Sequence, residues 1–138
     1  MKALQLYFKI LDKLSPTMAA RKMYTVMTNP RVRKLRDFEE QVLNEAEQKS
    51  IPFKGFEIQT YRWGSPGGKT ALFVHGWEGQ AGNFGSLVPI LLDLGYQVVA
   101  YDAPAHGNSS KGKTNMFDIP ELTGQFLEKY QPELVISH

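Results

Sequence analysis

Cysteine is absent from the 138 residues, which removes thiol nucleophiles, disulfides and cysteine-ligated metals together. Nor does any stretch approach the ~20 apolar residues of a membrane span. Met1-Lys2-Ala3-Leu4 opens as a secretory signal opens, but Lys9, Asp12 and Lys13 break the apolar run before an h-region develops. The sequence therefore reads as a soluble, cytoplasmic protein. Net charge is scarce too: 16 Lys and Arg against 14 Asp and Glu leave +2, so no nucleic-acid partner is expected. The length is that of about one small domain and excludes a two-domain enzyme. With 42% hydrophobic residues, the composition suits a packed core and not a disordered or low-complexity chain.

The charge that is present is unevenly placed. Residues 1–36 hold nine Lys and Arg and one acid, Asp12, so that segment is +8 and the remainder −6. Residues 3–48 read as three helices, punctuated by Ser15-Pro16 and Asn29-Pro30, each a capping residue followed by proline at the first helical position. In the first helix Leu4, Tyr7, Leu11 and Leu14 form a stripe that Leu6 and Ile10 widen, more apolar than a free surface helix needs, so it is expected to pack against something larger. In the third, Val32, Leu35, Phe38, Val42 and Ala46 form the apolar face, with Arg33/Asp37 and Arg36/Glu40 as i,i+4 pairs. Residues 1–50 are thus expected to be a basic amphipathic helical segment. Its basic face is expected to be solvated while the helices pack on their own domain, with peripheral membrane contact by residues 1–36 the lesser reading.

From Ile51 the pattern changes to strands separated by turns and helices. Phe56–Thr60 alternates as a half-solvated strand and continues to Trp63, before a Gly64-Ser65-Pro66-Gly67-Gly68 turn. Ala71–Val74 and Tyr96–Tyr101 are apolar runs suited to strands covered on both faces. Between them Phe84, Leu87, Val88, Leu91 and Leu92 give a helical stripe that Gly95 can end, with Pro89 tolerated in a first turn. Asp118-Ile119-Pro120-Glu121 resembles a capping box opening a helix whose face is Ile119, Leu122, Phe126 and Tyr130. Leu134–Ser137 opens a further strand. This order predicts a parallel sheet with right-handed crossovers.

Two glycine-rich stretches invite a nucleotide-binding reading, and both fail. Gly64–Thr70 ends in Gly-Lys-Thr, but Trp63 stands where a P-loop needs its first glycine, and a strand follows instead of a helix N-terminus. Gly76, Gly79, Gly82 and Gly85 recur every third residue without the G-x-G-x-x-G spacing, and Asp102 leads into a loop instead of ending a strand as a ribose-binding acid.

The informative stretch runs from Phe73 to Ser109: a strand, then His75-Gly76-Trp77, a helix, a strand, then Asp102-Ala103-Pro104-Ala105-His106-Gly107-Asn108-Ser109. Here the chain resembles the α/β-hydrolase family, over about residues 51–138. The resemblance implies a partial parallel α/β-hydrolase sheet flanked by helices and preceded by the N-terminal helical segment. It also implies that the backbone N–H of Trp77 serves the oxyanion hole, that Gly76 allows the turn which aims it, and that His75 supports the loop. By the same resemblance neither His75 nor His106 is the catalytic base, and Asp102 is a loop-capping carboxylate and not the triad acid. Glu78 fits less well, because a carboxylate beside an anion site opposes its purpose unless it points away.

The family's nucleophile stands on an elbow after the fifth strand, here Leu134–Ser137. Ser137 and His138 fit the first two elbow positions, so the expectation is that the nucleophile, acid and base all lie beyond His138 and that residues 51–138 are the amino-terminal portion of the domain. The 138-residue chain alone is then expected to be inactive, with an exposed apolar edge that favours aggregation or a complementing partner. The leading reading is a Ser-His-Asp hydrolase of a small carboxylic ester or related acyl substrate. The alternative is a non-catalytic binding module on the same scaffold. A triad needs no cofactor, and three histidines without clustered carboxylates suggest no metal site. Oligomeric state is left open.

Overall fold

The two apolar runs become β3 (Lys69–Val74) and β4 (Tyr96–Tyr101), which lie side by side and parallel, with Ala71 opposite Val98 and Phe73 opposite Ala100. A computed structural model describes residues 2–31 and 34–138. On the other flank of β3 lies β5 (Leu134–Ser137), also parallel, with Leu72 opposite Val135. β4 takes β2 (Phe56–Trp63) as an antiparallel neighbour, and β2 in turn pairs antiparallel with β1 (Glu47–Phe53). The sheet order is β1-β2-β4-β3-β5, so the parallel sheet expected from the sequence is confined to β4-β3-β5 and the whole is mixed.

Alternation along β3 supplies both faces of the sheet with core. Ala71 and Phe73 point to one side, where Phe84, Val88 and Leu91 cover them, while Leu72 points to the other with Val99 and Tyr101. The first cover is a 3-10 segment (Ala81–Leu87) running into α4 (Val88–Asp93), together with α3 (Asp37–Asn44). Pro89 sits in the first turn of α4 and Gly95 follows its end at φ +80, as the sequence suggested. The second cover is α5 (Asp118–Tyr130), which buries Leu122 and Phe126.

Ahead of the sheet, α1 (Lys2–Leu14) and α2 (Pro16–Thr28) form a hairpin. Ser15 caps α2, its hydroxyl accepting from the Met18 N–H at 3.4 Å. Asn29 does not open a third helix. It closes α2, its amide donating to the Thr25 carbonyl at 2.7 Å, and α3 begins only at Asp37. Leu35 and Ala46 therefore flank α3 instead of lying in it, yet both still pack on the core. Arg36 pairs with Glu39, at 2.5 Å, and not with Glu40. Val32 and Arg33 of the expected face and pairs lie outside the described residues.

Two other elements differ from expectation. β1 begins inside the stretch read as helical, because an edge strand with six of seven residues at least partly exposed carries no buried-face signature, and Pro52 is tolerated at such an edge. The capping box of α5 does not form. The helix starts with Phe117 as its N-cap, so the Asp118 carboxylate turns back to accept from the Asn115 N–H (3.1 Å) and the Thr114 hydroxyl (3.0 Å), while Glu121 pairs with Lys54.

Candidate active site

The C-terminal ends of β3 and β4 release two loops, residues 75–80 and 102–109, that are tied to one another by side chains both supply. Asp102, the first residue after β4, is buried and holds three donors: the Ala81 N–H at 2.7 Å on one oxygen, and the Tyr61 hydroxyl at 2.9 Å and Asn108 N–H at 2.8 Å on the other. Burial pushes its carboxyl pKa up, against the pull of these hydrogen bonds. Tyr61 also accepts from the Asn108 amide at 2.9 Å, and burial raises its hydroxyl pKa. Gly107 closes over the carboxylate at φ +44, where a Cβ would lie 2.2 Å from the Asp102 Cγ, so only glycine fits.

His75 joins the two loops. Its Nε2 accepts from the Ala103 N–H at 2.9 Å, which leaves Nδ1 protonated and donating to the Gly76 carbonyl at 2.8 Å. The ring is neutral, because burial lowers its pKa to about 4. His106 donates through Nδ1 to the Pro104 carbonyl at 2.9 Å, and its pKa is likewise lowered by burial to about 4. Its Nε2 is buried with no hydrogen-bond partner among the described residues. The ring lies between those of His75, at 5.2 Å, and Trp77, edge-on at 5.1 Å.

Residues 76–79 form a tight turn closed by the Gly79 N–H to the Gly76 carbonyl at 3.0 Å. Glu78 takes its third position with φ +59, a left-handed conformation that costs an ordinary side chain about 1 kcal/mol. Its carboxylate leaves the turn for Arg31, which donates to both oxygens at 2.8 and 2.9 Å. The charge expected to oppose an anion site is thus paired with Arg31, while it still acts on the His106 ring. Trp77 is part-exposed at 38%, and none of the hydrogen bonds among the described residues uses its N–H.

Gly76 rests against the tip of β5. A Cβ there would stand 2.7 Å from the His138 carbonyl oxygen, and the His138 N–H donates to the Val74 carbonyl at 3.2 Å. The structure therefore brings together His75, Gly76, Trp77, His106 and the end of β5. Sequence reasoning missed Tyr61, Asn108 and Ala81 as holders of Asp102, and Arg31 as partner of Glu78. Tyr61 carries a period-two signal in β2, whereas Arg31 stands 47 positions from Glu78 and has no local signature.

A sheet with this order, bearing both loops on the C-terminal ends of two adjacent parallel strands, β4 and β3, with a third, β5, beside β3, defines an open α/β scaffold. A family model described as the alpha/beta hydrolase fold matches residues 70–136. A serine hydrolase-like protein of Danio rerio is 40% identical over 60 residues, covering 44% of this chain and 18% of that protein. Epoxide hydrolase A of Mycobacterium tuberculosis is 27% identical over 81 residues, covering 58% of this chain and 25% of its own. The solved thioesterase domain from the curacin biosynthetic pathway superposes with a TM-score of 0.62 at 28% identity, over 67% of this chain and 35% of that one. The chain has the α/β-hydrolase fold, its named relatives are hydrolases, and it spans a quarter or less of the two curated proteins.

Proposed function

We propose that residues 51–138 form the amino-terminal part of a hydrolase domain acting on a carboxylic ester or related acyl compound, with the Ser-His-Asp triad supplied by sequence beyond His138. Support comes from the fit of Gly76 against the His138 carbonyl, since it sets the Trp77 loop beside the point where an elbow after β5 would carry its nucleophile. Attack by a serine hydroxyl on an acyl carbon moves an electron pair onto the carbonyl oxygen. The Trp77 N–H donates to that oxygen, and one such donor fixed in advance is worth ~3 kcal/mol of transition-state stabilisation. Gly76 permits the close approach, and neutral His75 holds the loop. Arg31 counters the charge of the Glu78 carboxylate beside the site. A cytoplasmic setting suits the cysteine-free composition.

The likeness to an epoxide hydrolase favours a second reading, epoxide opening, in which an elbow Asp would open the ring to an ester and the same N–H would meet the oxyanion formed when water attacks that ester. The test is the reading frame that continues past His138 and the protein it encodes, assayed on aryl esters and on aryl epoxides and probed with a fluorophosphonate. Ester turnover with serine labelling is expected, and the 138-residue chain alone is expected to show neither. Epoxide turnover without labelling selects the second reading. A frame with no Ser, Cys or Asp at the elbow, encoding an inert protein, would sink both and leave a binding module.

A further inference from the structure

The hairpin of α1 and α2 leaves most of its large apolar side chains uncovered. Leu6, Tyr7, Ile10 and Leu14 of α1 are 59%, 46%, 52% and 78% exposed, and Met18, Tyr24 and Met27 of α2 are exposed as well. By helix geometry Leu6, Ile10 and Leu14 stand on one ridge, Tyr7 lies on one side of it, and Lys9 and Lys13 form its other shoulder with Asp12 behind them. An open groove of about 740 Å3 between the helices, walled by Phe8, Ala19, Met23 and Val26, shows that the pair does not fill its own interior. Lys9, Lys13, Arg21 and Lys22 are exposed, and no ion pair among the described residues engages them.

Exposed aliphatic side chains flanked by free cations on one short helix match a surface that is oily below and anionic above. A nucleic acid would meet the cations and leave the ridge wet. No helix among the described residues is long and apolar enough to cross a membrane, so the fit is to lying on one. We propose that the α1–α2 hairpin docks on an anionic lipid membrane. In that pose α1 lies in the interfacial plane, Leu6, Ile10 and Leu14 enter the acyl boundary, and Lys9 and Lys13 sit at the headgroup phosphates. The proposal is independent of the hydrolase reading.

Flotation of the 138-residue chain with vesicles tests it, because aggregates sink while bound protein rises. The chain is expected to float with mixed phosphatidylcholine and phosphatidylglycerol vesicles in about 0.1 M salt, and not with phosphatidylcholine alone. Raising the salt to about 1 M cuts the screening length from ~10 to ~3 Å and should release it. Lys9→Gln with Lys13→Gln is expected to weaken partitioning roughly 25-fold, at about fivefold per charge. Leu6→Gln with Ile10→Gln should abolish flotation with an unchanged circular dichroism spectrum. Absence of flotation on anionic vesicles at low salt, equal flotation on both vesicle types, or indifference to the lysine pair would overturn the proposal. So would a dimer that Leu6→Gln with Ile10→Gln disperses and that never floats, since the ridge would then belong to a second copy.

Discussion

Gly107 and Asp102 form a packed pair in which the glycine has no substitute. Gly107→Ala forces a Cβ to 2.2 Å from a buried carboxylate carbon at a positive φ, and should destabilise by about 3 kcal/mol as the Asp102 hydrogen bonds break, read as a lowered melting temperature. The two buried imidazoles carry a pH signature. A histidine whose folded pKa is about 4 binds fewer protons than the unfolded chain between about 6.5 and 4, so stability falls as pH drops through that window, by roughly 3 kcal/mol for the first ring to charge. Asp102, raised by burial, acts in the opposite sense in acid, so the rings themselves are the better gauge. Nitrogen-15 NMR is expected to show His75 as the Nδ1-protonated tautomer at pH 7 and to place both midpoints near 4; titration near 6.5 would contradict the buried geometry. His75-Gly76-Trp77 and Asp102…His106-Gly107 were legible in the sequence because each is contiguous or nearly so. The Arg31–Glu78 pair was not, because it depends on how a distant segment packs.

At the scale of elements, legibility followed burial. β3, β4 and β5 announce themselves as apolar runs, and α5 by a face whose Leu122 and Phe126 both become core. Leu122→Ala in α5 should cost 2–5 kcal/mol by leaving a cavity against Leu72 and Val99, measurable by urea denaturation. β1 escaped because it lies at the sheet edge, where alternation has no buried side to report. The late start of α3 escaped for a different reason: Leu35 and Ala46 keep helical spacing with the residues between them, yet tertiary packing buries them from non-helical backbone, so periodicity alone overstated the helix.

At the largest scale, β5 stands at the edge of the sheet that the described residues form, and its Val135 is 44% exposed. An uncharged, apolar edge of this kind invites pairing with another chain. The 138-residue protein is expected to scatter light increasingly with concentration, and Val135→Lys to suppress that by placing a charge on the edge strand; equal scattering by both proteins would locate association elsewhere.

The order β1-β2-β4-β3-β5 also has a bearing on birth at the ribosome. β2 and β3 follow one another in the chain but share no ladder, and both partners of β3 are made after it. The early hairpin and the third strand remain separate pieces until translation has passed Tyr101, a delay of a few seconds at ~5–20 residues per second. During that interval Ala71–Val74, whose first three residues end up buried, has no edge to join, which leaves it open to a nascent-chain chaperone.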